Sequence, residues 1–264
     1  MGPTHTTRTL KKSKGQHLQM LTCYDFQTAQ LLEQTELDMI LVGDSLGNVV
    51  LGLETTVQVG LDEMILFTKA VRRGAPTKFL VTDLPFGTYA DFQSGLQNAI
   101  KLFQQTNAQA VKLEGAAKYQ LELIERLTEN GVPVMGHIGL RPQSVHQMGG
   151  YYTHGKNKAQ AEQLLKEARA LEKAGCFSVV LECIEPEISK QITQELKIPT
   201  IGIGSSDDTD GQVLVINDLL HLGVTDPPKF CRPLANLYEI KKELIEAYLN
   251  KQRRTESSQT QSLS

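Results

Sequence analysis

The chain carries 264 residues, 40% of them apolar and 22% charged, with a net charge of −3. That balance sits near the globular average and excludes a fibrous repeat, a long disordered chain and a disulfide scaffold. There is no basic block to meet a phosphate backbone, and no apolar run approaches the ~20 residues of a membrane-spanning helix, so neither nucleic acid nor a membrane is expected as a partner.

In chain order, Met1-Gly2 with Thr6 fits a loose myristoylation pattern that Pro3 reduces to coincidence. Arg8, Lys11, Lys12 and Lys14 follow as an acid-free basic lead-in, and a strand-like run from Leu18 leaves little room for a transit peptide. β-rich runs occupy Leu18 to Cys23, Met39 to Val42, Lys78 to Thr82, Ala110 to Glu114, Pro133 to His137, Ser178 to Glu182, Thr200 to Ile203 and Gln212 to Ile216. Stretches of helical period separate them, among them Ser94 to Thr106, Lys118 to Asn130 and Lys158 to Ala174, and a last one spans Leu237 to Lys251. About eight strands alternating with helices in roughly 250 residues predict an α/β fold, a single-domain (β/α)8 TIM barrel over residues 1–252. Residues 253–264 are polar and expected to fray. Between the seventh and eighth runs, Ser205 to Gly211 is too short for a crossover helix. The cysteines Cys23, Cys176, Cys183 and Cys231 lack C-x-x-C spacing and read as small buried residues in a reducing compartment, which makes the cytoplasm the expected address.

A barrel builds its site where its strands end, at the C-terminal face. Here those ends carry Asp44-Ser45, Asp83, Lys112 with Glu114, His137 and Glu182. Asp44, Asp83 and Glu114 are hard oxygen donors on three strands, suited to a divalent cation, Mg2+ before others. Asp44 and Asp83 serve equally as helix N-caps or turn residues, and Glu114 could simply pair with Lys112, since strand alternation turns both to one side. Glu182 closes an apolar run, where a partly desolvated carboxylate suits a general base; its plainer use is a salt bridge with a Lys or Arg. His137 is a lone histidine on a strand, more often a satisfied structural group than a ligand, and reads as a hydrogen-bonding partner of substrate or of the groups around the metal and not as a metal ligand. Ser45 lacks a His-Asp pair and reads as a hydroxyl for substrate or for a helix end. Asp25 opens a helical stretch as a cap. Gly202-Ile203-Gly204-Ser205-Ser206 follows strand seven, where barrels often bind phosphate, though a turn needing positive φ explains it as well.

Several segments stand in an order that resembles one enzyme family: Met20-Leu21-Thr22-Cys23-Tyr24-Asp25, Val42-Gly43-Asp44-Ser45-Leu46-Gly47, Ala70-Val71-Arg72-Arg73-Gly74-Ala75-Pro76 and Asp83-Leu84-Pro85-Phe86. Val111-Lys112-Leu113-Glu114-Gly115, Gly136-His137-Ile138-Gly139-Leu140 with Pro142-Gln143-Ser144, Val180-Leu181-Glu182-Cys183, Thr209-Asp210-Gly211-Gln212 and Pro228-Lys229-Phe230 continue it. The chain resembles the ketopantoate hydroxymethyltransferases over nearly everything but the tail. The resemblance implies a magnesium-dependent barrel that moves a one-carbon unit from methylenetetrahydrofolate to α-ketoisovalerate in pantothenate biosynthesis. It implies that Asp44, Asp83 and Glu114 serve the metal, that Ser45, Asp83 and Lys112, with Asp44, hold the keto acid, and that Glu182 is the base. It also implies a homo-oligomer, commonly a decamer, with C-terminal helices on neighbours. An apolar stripe at Leu237, Ile240, Leu244 and Tyr248 would suit that packing or packing on the chain's own barrel.

Departures from the family pattern fall on loops. Ser205-Ser206 stands where Ala-Gly is usual, and a serine at positive φ there would be strained by roughly 1 to 2 kcal/mol. Thr55 to Gly60 lacks a usual proline, Phe67 stands for a common His, and Asn217 precedes Asp218 where His is common. Two other readings fit the residues: a barrel that keeps its pocket without turnover, and a keto-acid lyase of the phosphoenolpyruvate mutase type.

Overall fold

The computed structural model describes residues 5–150 and 152–261, so the Met1-Gly2 pattern and residues 262–264 of the tail lie outside the described residues. Eight parallel strands close on one another in chain order: β1 (Leu18–Thr22), β2 (Met39–Val42), β3 (Phe79–Asp83), β4 (Ala110–Glu114), β5 (Val134–Gly139), β6 (Ser178–Glu182), β7 (Thr200–Ile203) and β8 (Gly211–Leu214). Met20 is flanked in register by Met39 on one side and Val213 on the other, which is the closure of the barrel. The predicted runs are all present, with ends moved by a residue or two; β5 extends to Gly139, and Ile216 begins a helix instead of ending a strand.

Alternation along each strand sorts the side chains into lumen and helix faces. Met20, Met39, Phe79, Val81, Ala110, Met135, Val180, Ile201 and Val213 form one buried apolar cluster, with the rings of Phe79 and Phe177 edge-on at 5.6 Å. Two residues further along β3, β4, β5 and β6 from Val81, Ala110, Met135 and Val180 come Asp83, Lys112, His137 and Glu182, necessarily on the same face. Glu114 is two further again on β4. The lumen is therefore apolar at its base and charged at its C-terminal mouth.

Between the strands run α2 (Phe26–Glu33), α3 (Leu46–Val49), α4 (Leu61–Gly74), α5 (Phe92–Thr106), α6 (Lys118–Glu129), α7 (Val145–Met148), α8 (Lys158–Lys173) and α9 (Pro186–Glu195), after an N-terminal α1 (Thr7–Lys12). Each longer one buries a stripe at helical spacing; in α5 it is Gly95, Ala99, Leu102 and Thr106, with Asp91 capping the backbone N–H groups of Gln93 and Ser94. Asp25 likewise caps α2 through Thr28 N–H, as its sequence position predicts. A side chain on Gly74 would strike Phe26 O at 2.4 Å, so glycine is what lets α4 close on α2.

No helix joins β7 to β8. Asp210 does the joining: its Oδ2 accepts from Thr200 N–H at 2.8 Å and meets Lys14 Nζ at 2.7 Å, while Oδ1 accepts from Gly15 N–H at 2.8 Å. The basic lead-in is thus tied to the last strand, and Leu10 of α1, 1% exposed, joins the apolar cluster. In the same connection positive φ falls on Gly204 (59°) and not on Ser205 or Ser206, so the strain anticipated for a serine there is absent. Ser205 Oγ instead donates to Leu181 O at 3.0 Å.

A second compact unit follows Val215 and contains α10 (Ile216–Leu219) and α11 (Leu237–Gln261). Helical backbone thus reaches into the segment read as a fraying tail. Of the apolar stripe of α11, Ile240, Leu244 and Tyr248 are exposed, joined by Ile245 and Leu249. Among the described residues no helix is long and apolar enough to cross a membrane.

Candidate active site

Asp44, Ser45, Asp83, Lys112, Glu114, His137 and Glu182 all line one cavity of about 90 Å³ at the barrel mouth, walled by Leu41, Val180, Ile203, Val213 and Val215. Asp83 stands opposite Lys112 in the β3–β4 register, and Lys112 Nζ lies 2.7 Å from Asp83 Oδ1. The pairing of Lys112 with Glu114 that strand alternation suggested is not what forms. Residues two apart on a strand are separated by about 6.6 Å, whereas a residue opposite in register is nearer. Glu114 accepts instead from Gln143 N–H at 3.2 Å, and its Oε1 lies 3.6 Å from His137 Nδ1.

Neither Asp44 nor Asp83 acts as the helix cap that its type allows. Asp44 Oδ2 accepts from Gln143 Nε2 at 2.7 Å, and Asp83 Oδ2 accepts from Asp44 N–H at 3.1 Å. A side chain at Gly43 would come within 3.0 Å of Ser45 Oγ and 3.5 Å of Asp83 Oδ2, so glycine keeps this approach open. Ser45 makes no side-chain cap either; its Oγ is 2.8 Å from Tyr24 OH. Glu182 finds no Lys or Arg: Oε2 lies 3.2 Å from His137 Nε2, and at 16% its side chain is the most open of the ionisable groups in the pocket.

Three residues that sequence reasoning did not single out complete the arrangement. Gln143, on the short turn Pro142–Ser144 after β5, donates to Asp44, Glu114 and Leu84 O, and accepts from Tyr89 OH. Tyr89 OH in turn accepts from Glu114 N–H at 3.3 Å. Tyr24 holds Ser45. The available signal was positional, since Tyr24 lies two residues past the end of β1 and Gln143 four past the end of β5, both in the loops of the C-terminal face.

Four carboxylates against one ammonium leave this buried mouth with an excess of negative charge. Burial, then the neighbouring charge of Asp83, pushes Asp44 from 3.8 up to about 7. Burial and the charge of Asp44 push Glu114 well above the carboxylate range. Burial works against the Lys112 charge, yet Asp83, Glu114 and Asp44 together hold its pKa above the ordinary value. Burial lowers His137 despite the opposing pull of Glu182, so the imidazole is neutral at pH 7. Crowded carboxylates that resist ionisation are the donor set a divalent cation relieves. Among the described residues no three His, Cys, Asp or Glu side chains already converge as a metal cage. Mg2+ does not require one, because it binds through one or two carboxylates and completes its octahedron with substrate and water.

Fold and pocket together define a (β/α)8 barrel with an acid-rich, lysine-bearing site at its C-terminal mouth. Solved structures share that fold: a phosphonopyruvate hydrolase complexed with oxalate and Mg2+ (TM-score 0.61, 11% identity, 80% of this chain and 81% of that one) and a 2,3-dimethylmalate lyase of the PEP mutase/isocitrate lyase superfamily (TM-score 0.62, 16% identity, 95% and 89%). At such identities the likeness speaks for architecture alone. The sequence is more specific. The family model described as ketopantoate hydroxymethyltransferase matches residues 4–257. A 3-methyl-2-oxobutanoate hydroxymethyltransferase of Leptospira interrogans is 50% identical over 90% of both chains, and one of Geobacillus kaustophilus is 49% identical over 90% of this chain and 85% of that one. The chain belongs to the ketopantoate hydroxymethyltransferase family.

Proposed function

We propose that this protein transfers a one-carbon unit from methylenetetrahydrofolate to 3-methyl-2-oxobutanoate (α-ketoisovalerate), giving ketopantoate for pantothenate biosynthesis with Mg2+ as cofactor. The observation that carries the reading is the gathering of Lys112, four carboxylates, Ser45 and His137 in one small cavity whose remaining walls are largely apolar. Asp44, Asp83 and Glu114 would hold Mg2+, directly or through water. When bound, Mg2+ supplies Lewis acidity worth several kcal/mol to the negative charge that develops on the keto oxygen.

The rest is work for side chains. Lys112, charged and paired with Asp83, offsets the carboxylate of the keto acid, and Ser45 Oγ with Asp44 adds polar contact. Leu41, Val180, Ile203 and Val213 receive the isopropyl group and exclude water. Glu182 removes the proton from the branched carbon, a step for which a positioned base contributes roughly 10² to 10⁴-fold. Neutral His137 stands beside the base, its Nε2 3.2 Å from Glu182 Oε2. The enolate carbon then bonds to the methylene carbon of the donor, both bonds from that carbon to the two folate nitrogens break, one water supplies the oxygen of the new hydroxyl, and the two nitrogens take up the proton removed by Glu182 and one proton of that water. The exposed stripe of α11 supports assembly as a homo-oligomer, with a decamer the form we expect.

The test isolates enolisation. Proton NMR of α-ketoisovalerate in D₂O, with protein and Mg2+ but no folate, should show loss of the branched C–H signal. Glu182→Gln and chelated samples should not. Wild-type protein that exchanges no proton with Mg2+ and folate both present would refute the reading.

A further inference from the structure

We propose that a cleft beside the mouth, between the loop after β5 and α8, docks the fused-ring head of the one-carbon donor; this rests on the transferase reading above. The cleft measures about 320 Å³. That is the low end of the ~300–1,000 Å³ of ligand pockets, room for one bicyclic heteroaromatic ring with its tail outside. Gln160, Gln163 and Glu167 line it from one face of α8, at helical spacing, and Arg141 and His154 line it from the opposing loop. A ring of that class carries adjacent N–H donors and ring-nitrogen or carbonyl acceptors along its edges. A carboxylate and amide oxygens suit the first, a guanidinium and an imidazole the second.

The cleft holds a polar group in need of a partner. His154 is 9% exposed, and its Nε2 is buried with no hydrogen-bond partner among the described residues. The residue is pinned: His154 N–H donates to Cys183 O at 2.7 Å, its carbonyl accepts from Glu185 N–H at 2.9 Å, and its ring stacks on Tyr152 with centroids 4.4 Å apart. Buried polar atoms in folded proteins are nearly always paired, so a ligand atom is the natural complement.

The cleft also adjoins the reacting face. Gly139, which lines it, is the register partner of Glu182, and Cys183, the next residue on, takes φ 49° as it accepts from His154. Positive φ outside glycine is uncommon and gathers at functional turns. The cleft on the other side, over Glu114, is half the size at about 160 Å³; in both clefts polar groups are joined, Tyr89 to Gln143 there and Gln163 Nε2 to Glu167 Oε1 at 2.9 Å here, but among the described residues only the α8 cleft adds a buried unpartnered atom, His154 Nε2.

Tetrahydrofolate is the probe, with affinity read by calorimetry because the chain has no Trp to report binding. His154→Ala and Glu167→Gln should each weaken its Kd roughly tenfold, whereas Tyr119→Ala, in the other cleft, should change it by less than about twofold. Unfolding midpoints are measured alongside, and near-isosteric Glu167→Gln decides the matter where His154→Ala is damaged. Unchanged Kd in Glu167→Gln, or weakening confined to Tyr119→Ala, overturns the proposal. Folate-free proton exchange by the unaltered protein reports separately on the transferase reading, so normal exchange with unchanged Kd removes the docking site alone.

Discussion

Replacing Asp44 by Asn should make the metal-free protein more stable and inactive. The folded pKa of Asp44, about 7 against 3.8, means that the folded chain keeps this proton where the unfolded chain has lost it. The stability contributed by that proton is fully present below about pH 4 and is lost as pH rises through 7. The rise from 3.8 to about 7 corresponds to about 4 kcal/mol once the group is ionised, and to a little over a third of that at pH 5. Asn keeps an acceptor for Gln143 Nε2 and carries no charge, so it escapes the whole of this pH-dependent loss. The advantage of Asp44→Asn over wild type should therefore be greater at pH 8 than at pH 5 by roughly 2–3 kcal/mol, or roughly 5–10 °C in Tm. Circular-dichroism melts with chelator at both pH values read this directly. An equal gain at the two pH values, or none at pH 8, would refute the idea that the mouth stores electrostatic stress for a cation.

Gln143→Leu removes the side-chain donor to Asp44 and Leu84 O, leaving the backbone N–H to Glu114 in place, and should raise the Mg2+ concentration needed for half-maximal proton exchange by roughly tenfold, with about 1–3 kcal/mol less stability in urea titration; an unchanged Mg2+ requirement would show that Gln143 only fills space. Asp210→Ala takes the acceptor from Gly15 N–H and Thr200 N–H and leaves Lys14 only the carbonyl of Thr193, and should cost about 3–5 kcal/mol in urea unfolding, against less than about 1 kcal/mol for the exposed pair broken by Asp62→Ala. Leu244→Glu with Ile245→Glu on α11 should lower the molar mass seen by light scattering while leaving the barrel's circular dichroism unchanged; a mass equal to wild type would remove α11 from the subunit contact.

The strands were legible because the barrel buries them on both faces, which leaves unbroken apolar runs such as Met39–Val42. The site was legible where chemistry breaks such a run, as Lys112 and Glu114 do in β4 and Glu182 does at the end of β6. Pairings were not. That Lys112 meets Asp83 depends on the register between β3 and β4, and a single strand carries no information on its neighbour's offset. Gln143 escaped notice because an uncharged amide in a turn looks like any loop residue until two oxygens converge on its side-chain Nε2 and a third on its backbone N–H. Strain at Ser206 was inferred from a glycine habit of the family, while the backbone places its left-handed residue two positions earlier, at Gly204.

Leu10 closes the base of the barrel, and this has a bearing on the order in which the molecule is assembled. The segment synthesised ahead of the eight strands docks against a surface to which Val213 of β8 contributes and through a tether, Lys14 to Asp210, that needs the residue just before that last strand. The N-terminal plug is therefore the last part of the barrel to lock, and the barrel has a seal that only its completed ring can seat. A chain ended after Ile203 should accordingly be cut by trypsin at Lys11 or Lys12 under conditions where the full chain is spared, and equal resistance of the two would show that the plug seats on a partial ring.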